Sequence, residues 1–310
     1  MDWDAVWAFS TVKSHFFFCS LIFFALNSVV VVRVYLFFCL FLSIAIVVLF
    51  FGVSVNFLPA LDLSNWLTFS VETAKIGFRT YGDFLLPMIY YKTSVLLIIG
   101  VGLLGLVEDK KRFLIMCLFS AALFLSGTRA NILASFFLML VYFLCYWVKS
   151  VRGRGLLMLI LVPLGAYTFF MMMSQFLRPD ELSNTVKSFH LQSYMGTFRE
   201  DPWVFLVGQG LGSGFYSVYY EGVVYETELT LLELLRRGGV SAVLTFCVIF
   251  LYPVFKARRY LFKASFLMYF LVSSTNPLLI SSTGMLALAM GYIYLLVEKC
   301  SNPEMGGGHV

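Results

Sequence analysis

The sequence predicts an all-α protein, a polytopic transmembrane helical bundle of nine spans with a large outer loop between the sixth and the seventh. Three observations predict it. Hydrophobic residues make up 60% of the 310 residues and charged residues only 13%, about half the charged share of a soluble domain. The apolar residues fall in runs of about 15 to 25, the length a helix needs to cross roughly 30 Å of hydrocarbon. Lys and Arg gather in a few short connections, as they do on the cytoplasmic side of membrane proteins.

The spans are read at 16–32, 34–55, 84–107, 113–127, 130–148, 156–176, 228–255, 264–280 and 282–297. Several are short, which implies local thinning of the bilayer or burial against neighbouring helices. The 34 Phe and 17 Tyr suit lipid-facing helices with aromatic belts at both interfaces. The basic clusters are Lys110-Lys111-Arg112, then Lys149, Arg152 and Arg154, then Lys256, Arg258, Arg259 and Lys263. Nine alternating spans place all of them on one side, together with Arg33 and Lys299. That side is expected to be cytoplasmic, with the N-terminus outside and the C-terminus inside. The start, Met1-Asp2-Trp3-Asp4, has no basic region and no cleavage site, so a removable signal peptide is not expected.

Residues 1–300 are read as a single transmembrane domain and 301–310 as a disordered cytoplasmic tail. Two outer segments are long, 56–83 and 177–227, so any chemistry is expected on the non-cytoplasmic face. Cys19, Cys39, Cys117, Cys145 and Cys247 lie in apolar runs and Cys300 in the polar tail, which gives no disulfide framework. His15, His190 and His309 are too scattered for a metal site. No metal, no cofactor and no nucleic-acid partner is expected; the lipid bilayer is.

Charged groups at membrane depth are expensive and mark candidate functional residues. Arg129 lies in FLSGTRANIL between two apolar runs, where Ser126-Gly127-Thr128 suits a turn. It reads either as a fixed guanidinium that grips phosphate oxygens or as an arginine snorkelling to the interface. Arg79, in GFRTYGDFLLP, stands just before the third span and by itself is an ordinary interface arginine. Residues 226–240, ETELTLLELLRRGGV, place Glu226, Thr230, Glu233 and Arg237 on one helix face. This segment is either the outer end of the seventh span or an amphipathic helix over it. Glu226 and Glu228 stand near its start, where the helix dipole favours acids. They form either a solvated cap, beside an internal Glu233–Arg237 pair, or carboxylates facing a substrate cavity. Ahead of it, VGQGLGSGF carries Gly208, Gly210, Gly212 and Gly214, a backbone free to approach a ligand or another segment closely. No Gly-Lys-Ser/Thr follows, so this is not a nucleotide-binding loop. Lys92 is read about two turns into the third span, lining a cavity or paired with a neighbouring helix. His190, in SFHLQSYMGTFRE, belongs to an amphipathic stretch along the outer surface, with Arg199 and Glu200 as a surface pair.

Together these pieces resemble the O-antigen polymerase and ligase superfamily of bacterial envelope polysaccharide assembly, over roughly residues 76–255. The resemblance lies in Arg79-Thr80-Tyr81-Gly82 opening a helix and in the turn Ser126-Gly127-Thr128-Arg129. It continues in an outer loop closing with Gly208-Gln209-Gly210-Leu211-Gly212, and in an acidic, leucine-rich helix from Glu226 to Gly239. Ligases of that family carry a histidine where the outer loop enters the late helix. Here Glu226 and Glu228 stand instead, which favours a polymerase. The region before the resemblance is also shorter than is usual there.

The resemblance implies a polyprenyl-diphosphate-linked oligosaccharide as substrate at the outer face of the bacterial inner membrane, with a chain-length regulator as a further partner. The glycan would pass to a sugar hydroxyl of a second lipid-linked unit. Arg79 and Arg129 are the expected catalytic clamps on the leaving phosphates, and Glu226 or Glu228 the expected base, with His190 behind them. Gly208, Gly210, Gly212, Arg237 and His190 are the expected substrate contacts. An O-antigen ligase acting on a lipid core is the alternative within this class. A polysaccharide or lipid transporter is kept open by Lys92 and Pro277, though two matched halves are lacking. A non-catalytic scaffold would tolerate neutral replacements at Arg79, Arg129 and Glu226.

Overall fold

A computed structural model describes residues 12, 21–59, 64–65, 74–81, 84–106, 111–146 and 182–300. The span expected at 156–176, the basic residues Lys110, Lys149, Arg152 and Arg154, and the tail 301–310 lie outside the described residues. The described chain is mostly helical. Among the described residues, four helices are long and apolar enough to cross a membrane: Ser28–Ser54, Arg129–Tyr146, Thr230–Lys256 and Ser282–Cys300. Three more apolar helical stretches, Lys92–Leu106, Arg112–Leu125 and Tyr260–Ser274, are shorter. The described residues fall into two compact units.

The first unit holds the described residues of 22–146 together with 253–272 and 290–300. It opens with α1 (Leu21–Leu26) and α2 (Ser28–Ser54). The turn expected at Arg33 is absent: Arg33 is an exposed residue inside α2, and the chain bends at Asn27 instead. The run VVVVRVYLFF contains neither Gly nor Pro, and a single arginine rides on an apolar helix by its long stem. Arg33 therefore sits in no connection and carries no information on sidedness.

The third expected span also begins differently. Residues Ala74–Tyr81 (β1) and Phe84–Tyr91 (β2) pair as an antiparallel hairpin with Tyr81 opposite Phe84. Pro87, which cannot donate a backbone hydrogen bond, is tolerated here because both strands are edges. Helical structure starts only at Lys92, in a 3-10 turn that leads into α3 (Leu96–Leu103). Lys92 thus stands at the mouth of this segment rather than two turns within it.

α3 is the centre of the unit. It is hydrophobic on all sides, and its residues from Leu96 to Leu104 are almost wholly buried, as such a helix requires. Gly100 lies against Cys39 and Phe119, and Gly102 against Ser265 and Phe262. Small residues let neighbouring helices approach closely when packing rather than water exclusion must hold them together. Around α3 stand α2, α4 (Arg112–Leu125), α5 (Arg129–Tyr146) and the start of α9 (Tyr260–Ser274). Tyr35 donates to the Leu96 carbonyl at 2.9 Å, and Arg259 donates to the Gly105 carbonyl at the other end. Phe262 stacks on Tyr294 of α10 (Ser282–Cys300) with ring centroids 3.6 Å apart. The buried Glu298 accepts from Tyr294 at 2.8 Å and from the backbone N–H of Arg258 at 3.0 Å.

The second unit holds the described residues of 182–252 and 273–289. Helix α6 (Leu182–Glu200) is followed by the six-residue α7 (Pro202–Val207), the short hairpin β3 (Phe215–Ser217) and β4 (Gly222–Val224), and the start of α8 (Thr230–Lys256). Asp201 caps α7 by accepting from the Trp203 N–H at 3.0 Å, with Pro202 in the first turn, a favoured pairing at helix starts. α8 is two helices joined at Gly239, whose φ of 69° breaks the ladder. The span expected to reach residue 280 ends at Ser274, so Pro277 lies in a turn and not in a broken helix.

Candidate functional site

The first nine residues of α8, TLLELLRRG, carry three charges on the side turned into the second unit. Glu233 and Arg236 are fully buried and Arg237 is 4% exposed. Three and four residues apart on a helix are neighbours, so one carboxylate meets both guanidinium groups. Glu233 Oε1 lies 2.6 Å from Arg236 Nη2 and 2.5 Å from Arg237 Nε. Arg236 Nη1 donates to Gln209 Oε1 at 2.9 Å and to both the carbonyl and the hydroxyl of Ser213 at 2.8 Å. Arg237 Nη2 donates to the Tyr225 carbonyl at 2.7 Å. Tyr194 of α6 donates to Glu233 Oε2 at 2.5 Å, with Thr227 Oγ1 2.6 Å from the same hydroxyl. Burial, followed by the charge of Glu233, pushes the Tyr194 phenol well above its ordinary value, so it stays a donor. Phe215 lies under Arg236 at 4.9 Å and stacks on Tyr194. A buried charge set of this kind is tolerable only when every member is paired, and a fully paired network fixes one arrangement of the chain around it.

What it fixes is the glycine loop. The break at Gly239 removes the helical partners of the last carbonyls before it, and the loop supplies replacements: Gln209 N–H donates to the Arg236 carbonyl at 2.7 Å and Gly210 N–H to the Arg237 carbonyl at 3.0 Å. Gly208 (φ 85°) lies against the backbone of Arg237 and Gly238, and Gly239 against that of Leu206 and Val207. A Cβ at either position would collide with backbone. Gly208 is therefore a packing glycine. Gly212 (φ 82°) is buried. Gly210 is different: it is exposed, has φ 92°, and open space surrounds it. Of the three expected ligand-contacting glycines, Gly210 alone offers room for close approach.

Glu226 and Glu228 precede α8, which begins at Thr230, and both are exposed. Glu228 pairs with Lys187 at 3.5 Å at the surface. The partial burial asked of a general base is absent at both. His190 of α6 meets that condition instead. It is 3% exposed, its ring lies 5.8 Å from that of Tyr220, and its Nδ1 has no hydrogen-bond partner among the described residues. Burial lowers its pKa, against the weaker opposing pull of Glu228 and then Glu233, so its neutral form is favoured.

In the first unit, the turn expected at Ser126-Gly127-Thr128 is present between α4 and α5. Ser126 ends α4, Gly127 adopts φ 71°, and Thr128 Oγ1 accepts from the Asn131 N–H at 3.3 Å as a helix cap. The buried Asn131 amide donates to Ser126 Oγ at 2.9 Å and to Ser94 Oγ at 3.1 Å, tying the turn to the start of the α3 segment. Arg129 is the first residue of α5 and is half-buried. Met88 of β2 packs on Gly127, where any Cβ would displace it. Its strand partner is Gly77, and Arg79 stands two residues further along β1. The hairpin whose first strand carries Arg79 thus meets, through Met88 of its second strand, the turn that precedes Arg129.

Sequence reasoning missed Arg236, Tyr194 and Gln209. The signal for Arg236 was present, since Glu233-x-x-Arg236-Arg237 lets one acid serve both arginines. Nothing local announces Tyr194 or Gln209, which arrive from segments 39 and 27 residues away from Glu233 and Arg236. No family model matches the chain, and no curated protein and no solved structure matches it.

Proposed function

We propose that this chain is a membrane enzyme that polymerises lipid-pyrophosphate-linked oligosaccharide repeat units, of O-antigen, capsule or exopolysaccharide type, on the outer face of the bacterial cytoplasmic membrane. In this reading it crosses the bilayer nine times with its N-terminus outside. The acceptor hydroxyl oxygen attacks the anomeric carbon of the donor glycan, and the bond from that carbon to the pyrophosphate breaks. The lipid pyrophosphate leaves with the bonding electrons, and the hydroxyl proton passes to a base. Arg129 and Arg79 hold the leaving phosphates.

The observation that carries the proposal is the meeting of the hairpin that bears Arg79 with the turn that precedes Arg129, through Met88 and Gly127. Arg129 also opens a helix, so its charge adds to the positive end of the helix dipole, a pairing suited to an anion and poorly suited to packing alone. Within the second unit, burial and a favoured neutral form distinguish His190 from the exposed Glu226 and Glu228. Gly210 is the loop position with room for substrate.

Complementation of a polysaccharide-deficient host tests the reading. Wild type should restore a glycan ladder, and Arg129→Ala at equal membrane level should leave single repeat units. Removal of one such preorganised charge contact typically costs about 100- to 1000-fold in rate. A full ladder from both Arg129→Ala and Arg79→Ala would rule the reading out and return the transporter or scaffold to first place.

A further inference from the structure

We propose that α7 is a platform that seats on the lipid head-group layer, dipping its apolar side chains into the membrane interface beside α8. The inference stands apart from the proposed reaction, because it rests on exposure and depth alone.

Exposure comes first. Of the six residues of α7, only Val204 is buried. Trp203 and Val207 are 70% exposed, and Phe205 and Leu206 are exposed as well. Isolated exposed apolar residues are ordinary, but a contiguous patch of large ones marks an interaction surface. This patch lies on a segment that is not itself one of the apolar spans.

Depth comes from Gly239. The carbonyl of Leu206 and the backbone of Val207 press on it, so the end of α7 lies level with that residue. At that level α8 changes character. Before it come the buried charges Glu233, Arg236 and Arg237; after it come VSAVLTFCVIFLYPVF, with Leu244, Val248 and Ile249 exposed. Leu244 is only about 7.5 Å further along the helix. A helix this apolar with such an outer face is turned to lipid, so α7 stands where α8 enters the hydrocarbon. The exposed patch continues the lipid-facing strip of α8, and that continuity selects lipid rather than another protein as its occupant.

The chemistry agrees. Trp and Tyr concentrate at the interface because their rings are amphipathic, and short amphipathic elements lie there with apolar faces buried by about 5 to 10 Å. Arg199, Glu200 and Asp201, next to α7, sum to a charge of −1 (one cation and two anions). Apolar burial, and not attraction to anionic lipid, therefore drives the seating. One consequence concerns Gly208 and Gly210, which directly follow α7: the platform would hold them at the height of the lipid phosphates.

Tryptophan quenching tests this on the full-length protein in phosphatidylcholine vesicles. Trp3, Trp7, Trp66 and Trp147 are replaced by Phe, leaving Trp203. Its emission should be blue-shifted, quenched several-fold more by lipids brominated near the head group than by lipids brominated near the chain end, and insensitive to aqueous iodide. The result should not change when anionic lipid is added. Should that variant fail to fold, Trp203→Phe in the otherwise intact chain gives the same answer as the bromolipid quenching lost relative to wild type. Red-shifted emission quenched by iodide and untouched by bromolipid would overturn the proposal. So would emission that neither reagent reaches, since protein would then cover the patch.

Discussion

The two arginine-bearing regions of this chain solve opposite problems. Arg236 and Arg237 are buried around Glu233, and they donate further to the carbonyls of Ser213 and Tyr225 inside the second unit. They hold a helix break and a glycine loop in register. Arg129 opens α5 half-buried, on a turn built from Ser126, Gly127, Thr128 and Asn131. There the turn holds the arginine.

The largest expected effect comes from removing the carboxylate that serves both buried arginines. Glu233→Gln leaves two guanidinium groups without their counter-charge, and breaking a buried pair in this way typically costs about 3 to 5 kcal/mol. The thermal midpoint of the purified protein in detergent should fall accordingly, and membrane yield with it. Replacing Glu233, Arg236 and Arg237 together by Leu, Met and Leu should recover most of that loss, because the triad then disappears as a unit. Arg129→Ala, at a half-buried helix start, should lower the midpoint by less than Glu233→Gln does. Equal destabilisation by Glu233→Gln and Arg129→Ala would break the contrast.

Next comes the loop that the buried triad supports. Gly239→Ala meets both a positive φ of 69° and the Leu206 carbonyl, and backbone strain of that kind costs about 1 to 3 kcal/mol. Hydrogen exchange should then quicken at the Gln209 and Gly210 amides, which donate to the carbonyls just before the break. Gly210→Ala meets the positive φ of 92° but no neighbour, so only the conformational term of roughly 1 kcal/mol applies. Should Gly210→Ala leave exchange unchanged yet abolish the glycan ladder, Gly210 serves the ligand rather than the fold.

How far the sequence reached depended on the range of the interactions. Apolar length reads directly from composition, so the helices at Ser28–Ser54 and Ser282–Cys300 were visible, as was the turn before Arg129, where Gly127 supplies a conformation other residues resist. The β1–β2 hairpin was hidden inside an apolar run, although GFRTYGDFLLP has aromatic and β-branched residues flanking a Gly-Asp pair, the composition of a two-residue hairpin loop. Charge alone suggested a boundary at Arg33, but backbone chemistry places the bend at Asn27. For the candidate site, spacing along α8 revealed the Glu233–Arg237 pair. It was silent on Tyr194, Gln209 and the backbone bonds from the glycine loop, which depend on distant segments folding back.

The smallest effect separates the two units by pH. His190 lies beside the buried triad, and burial lowers its pKa from the ordinary 6.5. In the window between its folded value and about 6.5, the unfolded chain binds a proton that the folded chain does not, so folding stability rises with pH there. The contribution is complete above about 6.5 and declines as the pH falls from there toward the folded value. Thermal midpoints across roughly pH 5 to 8, the range in which histidine titrates, should show this slope in wild type and lose it in His190→Gln. Glu228 opposes the lowering by favouring the charged imidazole, so Glu228→Gln should steepen the slope. The turn around Arg129 contains no group that titrates in this range, and Arg129→Ala should leave the slope intact. A midpoint that rises on acidification would mean that the Glu228 and Glu233 charges outweigh burial at His190. The imidazole would then be a cation held by the triad, and its candidacy as a base would fall.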